Sequence, residues 1–178
     1  QDKILPQPKR YWTLPEQLRT EIQVHDATEE LERLLRQAIG RQMIADVPLG
    51  AFLSGGVDSS MVVALMQAQS HRPVRTFTIG FGETDHDESA QAKAVAEHLG
   101  TEHTELFVRA EDALNFIPGI ARVFDEPFAD ASQVPTYFVA KMTRQHVTVS
   151  LSGDGGDELF AGYERYFWAR RLMGVSER

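Results

Sequence analysis

SGGVDSS (residues 54–60) decides how the chain is read, because it stands between the apolar run PLGAFL (48–53) and the helical pattern MVVALMQAQ (61–69). An apolar run, a glycine pair and a helix start make a strand, a turn and a helix whose turn suits an anion. Gly55 and Gly56 can take positive φ and bring the backbone close to an oxygen-rich ligand, while the helix start adds unpaired N–H donors and the positive end of a dipole. Ser54, Ser59 and Ser60 add hydroxyl donors. The stretch lacks the G-x-G-x-x-G spacing of the dinucleotide fingerprint, and it has no lysine where G-x-x-x-x-G-K-[ST] needs one. Instead it carries Asp58, and a bare carboxylate would repel phosphate. That repulsion turns to attraction when Mg²⁺ lies between them on hard oxygen ligands. The plainer alternative is a turn in which Asp58 or Ser59 only caps the helix.

A second stretch, SGDGGDE (152–158), repeats the architecture with more acid. It follows the strand pattern HVTVSL (146–151) and leads into a helical segment. Gly153, Gly155 and Gly156 with Asp154, Asp157 and Glu158 are hard to justify by packing, although acids at a helix start also complement the dipole and Gly-Asp-Gly-Gly also suits a tight turn.

Between these stretches the pattern alternates. Short apolar runs at VPLGAFL (47–53), VRTFTIGF (74–81), HTELFV (103–108) and HVTVSL are separated by helical patterns over 59–70, 88–99, 110–123 and 133–144, and another follows over 157–171. Strand–helix alternation predicts an α/β fold, a doubly wound parallel sheet with helices on both faces. Gly100 is read as the stop of the second helix, and Pro118 as a bend in the third. In such a sheet ligands sit beyond the carboxyl ends of the strands. If strand 47–53 neighbours strand 147–151, both glycine turns open into one crevice, where Asp58 and Asp157 would share one or two Mg²⁺ ions over a nucleotide's phosphates. Upstream, Asp26 with Glu29 has the form of a capping box, followed at helical spacing by Leu31, Leu34, Leu35, Ala38, Ile39 and Met43. Residues 1–25, with Pro6, Pro8 and Pro15 around Tyr11 and Trp12, show no sustained period and are read as a linker or arm.

Composition narrows the partners. With 178 residues, 42% of them hydrophobic, one domain core is expected. The net charge of -8 works against a nonspecific grip on nucleic acid, so none is expected. The chain has no cysteine, which excludes disulfides, thiolate metal sites and a cysteine nucleophile within it. Its apolar stretches are too short to span a membrane, and QDKILPQPKR (1–10) lacks a secretory apolar region. A soluble, cytoplasmic protein is the expectation. The first residue is not Met and the last stand within a helical pattern, so both ends read as cuts.

Together these stretches identify a relative. SGGVDSS resembles the PP-loop of the ATP pyrophosphatases, and SGDGGDELFAGYERY (152–166) is similar to the second signature of glutamine-dependent asparagine synthetases. TFTIGF (76–81), DHDESAQAKAVAEHLGTEH (85–103) and DEPFADASQVPTY (125–137) extend the match from about residue 26 to the end. The resemblance implies an adenine nucleotide alpha-hydrolase-like fold and a ligase that uses ATP and Mg²⁺. A carboxylate, with aspartate the expected acceptor, would attack the α-phosphorus and release pyrophosphate; ammonia would then displace AMP. It also implies roles. Ser54, Gly55, Gly56, Asp58, Ser59 and Ser60 would cradle pyrophosphate, with Asp58 and Asp157 as the metal carboxylates. Backbone groups at Phe52 or Leu53 and at Ile79 would hold the adenine, and Ser152 with Gly153 would contact the nucleotide. Asp154, where the family often has Glu, would help order the adenylate step.

Two family parts fall outside this sequence: the glutaminase domain that supplies ammonia, and a lysine on a later helix that stabilises adenylation. Residues 26–178 therefore read as the N-terminal part of a synthetase domain, expected by themselves to bind Mg-ATP weakly and to form almost no amide. Acceptors other than aspartate, such as a sugar acid or the carboxylate of a closing lactam, stay open. So do a noncatalytic nucleotide-binding module and a homo-oligomer.

The remaining stretches have plain readings. His98 suits the last turn of a helix rather than a metal, as its dipole end is negative. ETDHDE (83–88) reads as a solvated loop and cap whose acids could still face the substrate. In DEPFADASQVPTY, Ser132 or Gln133 is read as a helix cap, with Ser132 also a candidate substrate contact. ERYFWARR (164–171) reads as a packed helix with salt-bridged edges rather than a nucleic-acid surface.

Overall fold

In LGAF and RTFTIG consecutive residues are buried rather than alternate ones, so both strands need cover on both faces. The computed structural model, which describes residues 8–13, 22–81, 88–127 and 129–176, supplies that cover. β1 (Leu49–Phe52), β2 (Arg75–Gly80), β3 (Glu102–Phe107) and β4 (Val149–Leu151) form one sheet in the order β3-β2-β1-β4. Every pairing is parallel, and β1 lies between β2 and β4.

Side chains alternate across β1, and the two helical layers divide them. α1 (Val24–Gln42), α2 (Val57–Gln67) and α3 (Ser89–Leu99) pack on the face that receives Ala51 and Leu53, where Ile39, Val63, Met66, Ala92 and Ala96 complete the core. α6 (Gln133–Thr143) covers the opposite face, where Phe77, Met142 and Val147 are buried with Phe52, Ile79, Leu106 and Val139 against them. The path from β3 to α6 runs through α4 (Ala110–Phe116), a 3₁₀ turn (Ile117–Gly119) and α5 (Ile120–Val123), so the helix predicted over 110–123 bends where Pro118 stands. α7 (Gly156–Phe160) and α8 (Glu164–Ser176) follow β4. Gly100 ends α3 in the left-handed region at φ 69°, as its sequence position predicts.

Several local expectations are corrected. α1 starts before Asp26: its N-cap is Gln23, so Asp26 lies in the first turn and acts on the dipole, while Glu29 faces His25 at 3.1 Å. The helix predicted over 157–171 is broken into α7 and α8 because Ala161 adopts φ 58°, which a continuous helix cannot contain. ERYFWARR does form helix, but Phe167 and Trp168 are 63% and 59% exposed, and among its described side chains Arg165 lies over the Tyr163 ring and Arg171 over the Trp168 ring. Ser132 is the N-cap of α6 by backbone position, with no side-chain cap; its N–H donates instead to Asp130 at 2.8 Å, holding that carboxyl below the usual range. Most of residues 1–25 and of ETDHDE lies outside the described residues. No described helix is long and apolar enough to cross a membrane.

His103 on β3 is a partly buried titratable side chain. Its Nδ1 pairs with the Thr76 hydroxyl at 2.9 Å, its Nε2 is buried without a hydrogen bond, and the Glu105 carboxylate is 3.8 Å away. Burial lowers its pKa from the ordinary 6.5, more than Glu105 raises it, and Lys93 adds to the lowering. Between the depressed folded value and 6.5 the unfolded chain binds more protons, so stability is complete above 6.5 and is lost as pH falls below it. His103→Gln is expected to flatten that slope in chemical denaturation at pH 5 to 7; an unchanged slope would assign it elsewhere. In the core, Met66→Ala should cost about 2–5 kcal/mol. Val24→Ala, at a position 83% exposed, should change stability by less than about 0.5 kcal/mol in the same experiment.

Candidate functional site

β1 keeps its pairing through Leu53, whose N–H reaches the Phe77 carbonyl at 2.9 Å; the chain then turns at Ser54. Gly55 takes φ 83°, and Gly56 is the N-cap of α2. Two hydroxyls tie the turn. The Ser54 Oγ accepts from the Gly56 N–H at 3.2 Å and lies 3.0 Å from the Ser59 Oγ, which accepts from the Ser54 N–H and donates to the Gly56 carbonyl. Neither Asp58 nor Ser59 caps α2, whose N-cap is Gly56 with no side-chain cap, so the capping alternative does not hold. α3 braces the loop from outside: a Cβ on Gly55 would lie 2.7 Å from the Ala92 nitrogen and 2.8 Å from Gln91 Cβ.

The second loop leans on the first. β4 pairs with β1 at Leu49↔Val149, Gly50↔Ser150 and Ala51↔Leu151, so both chains leave the sheet side by side. A Cβ on Gly153 would come within 2.7 Å of the Ser59 nitrogen, and one on Gly156 would collide with the Asp58 carboxylate. Asp58 therefore lies over a bare glycine of the neighbouring loop. Gly155 turns the chain at φ 92°, the Ser152 hydroxyl donates to Asp154 at 3.1 Å, and the Asp157 carboxylate rests against Gly162, whose N–H donates to the Asp157 carbonyl. Glu158 points into a separate contact, accepting from the Tyr163 hydroxyl at 2.6 Å, which holds its carboxyl below the usual range.

Both loops open into one cleft of about 570 Å³, lined by Phe52, Ser54, Gly56, Val57, Asp58, Ser59, Glu88, Ser152, Gly153, Asp154, Asp157 and Gly162. The predicted convergence of Asp58 and Asp157 is present. No lysine, arginine or histidine is among these described lining residues, and the N–H groups at the start of α2 add a local positive field. Among the described residues no group of three acids or histidines is close enough to hold a metal unaided. Beside this cleft lies a largely apolar one of about 320 Å³, walled by Phe52, Leu53, Phe77, Ile79, Phe81 and Val139, with Ser132 at its edge. Phe52, Leu53 and Ile79, expected from the sequence to hold the adenine through their backbones, line this cleft together. Gly55 supports the loop without lining either cleft, and the Ser60 hydroxyl is buried with no partner, away from both. Missed from sequence were Gly156 as the seat of Asp58, and Thr78, Pro135 and Thr136 in the apolar wall, positions fixed only by which strands and helices meet.

The sequence profile of the family described as Asparagine synthase matches residues 30–177. The chain belongs to this family. Over 138 residues, 78% of the chain, it is 41% identical to "Asparagine synthetase [glutamine-hydrolyzing] 1" of Bacillus subtilis (strain 168), covering 22% of that protein. Over 151 residues, 79% of the chain, it is 32% identical to "Asparagine synthetase [glutamine-hydrolyzing]" of Homo sapiens, covering 26% of it. The chain therefore spans about a quarter of the length of these asparagine synthase relatives. Among solved structures, the NMN synthetase of Francisella tularensis superposes with a TM-score of 0.51 at 16% identity, over 80% of this chain and 59% of that one. The shared sheet and helical layers are the adenine nucleotide alpha-hydrolase-like fold.

Gly55 and Gly100 both need positive φ, but nothing lies within 4 Å of a Cβ on Gly100. Gly100→Ala should cost about 1–2 kcal/mol from conformation alone. Gly55→Ala should cost about 3 kcal/mol, because the α3 backbone blocks the added carbon. Equal losses in thermal or chemical denaturation would mean that the bracing is absent.

Proposed function

We propose that this chain holds the nucleotide of an ATP-dependent ligase that turns a carboxylate, aspartate in the first instance, into an amide. The observation that carries the reading is the cleft of Asp58, Glu88, Asp154 and Asp157, with no cationic side chain among the described residues that line it, joined to an apolar cleft and to the start of α2. An acidic cleft can accept a polyphosphate only together with a cation. Asp58 and Asp157 are its ligands in this reading, with the phosphates completing the shell, since the described residues offer no group of three donors. Mg²⁺, when bound, neutralises charge on the phosphates and so favours departure of pyrophosphate.

The chain's own groups then have plain tasks. The apolar cleft takes the base against Phe52, Leu53 and Ile79, and the α2 N–H groups with the glycine backbone of both loops hold the phosphates. The acceptor carboxylate oxygen attacks the α-phosphorus, the bond to the bridging oxygen breaks, and pyrophosphate leaves. Ammonia attacks the acyl carbon, AMP leaves with the electrons of the acyl–oxygen bond, and the nitrogen loses its surplus proton. Positioning and electrostatics suffice, since no step needs a covalent nucleophile. Asp154, held by Ser152 at the cleft wall, orders the adenylate. The ammonia comes from glutamine hydrolysed elsewhere in the protein, the activity that the names of both relatives carry.

ATP–pyrophosphate exchange stimulated by aspartate separates this reading from passive nucleotide binding. The protein should exchange label only with a divalent cation, and chelation should abolish the signal. Asp58→Ala and Asp157→Ala should each lower the rate by about 100-fold or more. Exchange within twofold of the parent in both variants would remove the metal-ligand assignment.

A further inference from the structure

The two clefts share three residues, Phe52, Ser54 and Glu88, and Glu88 carries the one charged side chain among the described residues lining the apolar cleft. Its place is set by the backbone. Glu88 is the N-cap of α3, its carbonyl accepts from the Ala92 N–H at 2.9 Å, and the first turn of α3 is pressed on Gly55 of the phosphate loop. The side chain is exposed and takes no part in capping α3, so no cap bond occupies its carboxylate.

We propose that Glu88 selects a ribonucleotide by accepting hydrogen bonds from the 2′- and 3′-hydroxyls of its ribose. The inference rests on the reading that ATP lies across both clefts, base in the apolar one and phosphates in the acidic one. The sugar connecting them then crosses the border where Glu88 stands. A carboxylate is acceptor-only and is repelled by phosphate, so it needs donors. At that point of the nucleotide the donors are the two vicinal hydroxyls, which match the two carboxylate oxygens in the manner of acidic residues that read a ribose diol in other nucleotide folds.

Equilibrium binding of Mg-ATP, Mg-2′-deoxy-ATP and Mg-3′-deoxy-ATP by the whole protein, without turnover, tests this. The parent should prefer ATP over either deoxy form by about tenfold or more. Glu88→Ala should bring the three within about twofold by weakening ATP alone, and Glu88→Gln, which keeps one acceptor oxygen, should fall between. An unchanged preference in Glu88→Ala overturns the proposal while leaving the nucleotide site intact. In a parallel turnover assay of Glu88→Ala, a rise in the acceptor's KM with the nucleotide preference preserved also overturns it and gives the carboxylate to the acceptor's ammonium. Failure of the parent to bind any of the three nucleotides contradicts the ATP reading itself, and the proposal with it.

Discussion

Parallel pairing of β1 with β4 is the constraint on which the site depends. The two strands are separated by almost a hundred residues of chain, yet the register Ala51↔Leu151 sends both out of the sheet at the same level. Each strand runs directly into a glycine turn, and the turns fit because the second presents bare glycines to the first: Gly153 meets the Ser59 nitrogen and Gly156 meets the Asp58 carboxylate. At these two points the second loop adds no side-chain volume. It also holds Asp58 away from a capping role, free at the cleft wall.

The electrostatics of the cleft are a consequence of that contact. A helix start favours an anion, and this one is surrounded by carboxylates, with no lysine, arginine or histidine among the described residues lining the cleft. Either feature alone would suggest an incomplete site. In the proposed reading they combine into a place for an anion and its counter-cation, with hydrogen bonds for one and hard oxygens for the other. The apolar neighbour, walled by Phe52, Phe77 and Ile79, shares Phe52, Ser54 and Glu88 with the acidic cleft, and in the proposed reading it takes the base. Family membership and fold agree with this division of labour, while the chemistry of the whole protein stands as a proposal.

Much of this was legible before the structure because glycine, acid and apolar periodicity are local signals. SGGVDSS and SGDGGDE each sit between a strand and a helix as their patterns predict, and Gly100 and Pro118 mark real boundaries. The misreadings share a cause: they concern what the backbone does in response to distant contacts. Asp26 and Glu29 had the letters of a capping box, but the chain enters α1 at Gln23 with an extended ψ of 146°, so the cap falls elsewhere. ELFAGYERY looked continuous, but Ala161 turns left-handed where Gly162 closes on Asp157. The exposed ring face of α8 has apolar letters at helical spacing, which report that a face can be buried and not that this chain buries it. Glu88 was readable as an acid near a strand end, and only the meeting of α3 with the loop of β1 sets it between two clefts.

Hydrogen exchange of the backbone amides, with and without Mg-ATP, examines the shared cradle most directly. Residues 53–60 and 152–158 should become protected together, with the same half-saturating nucleotide concentration, and the protection should require the divalent cation. Protection of one loop while the other exchanges as in the free protein would contradict a single site built from both.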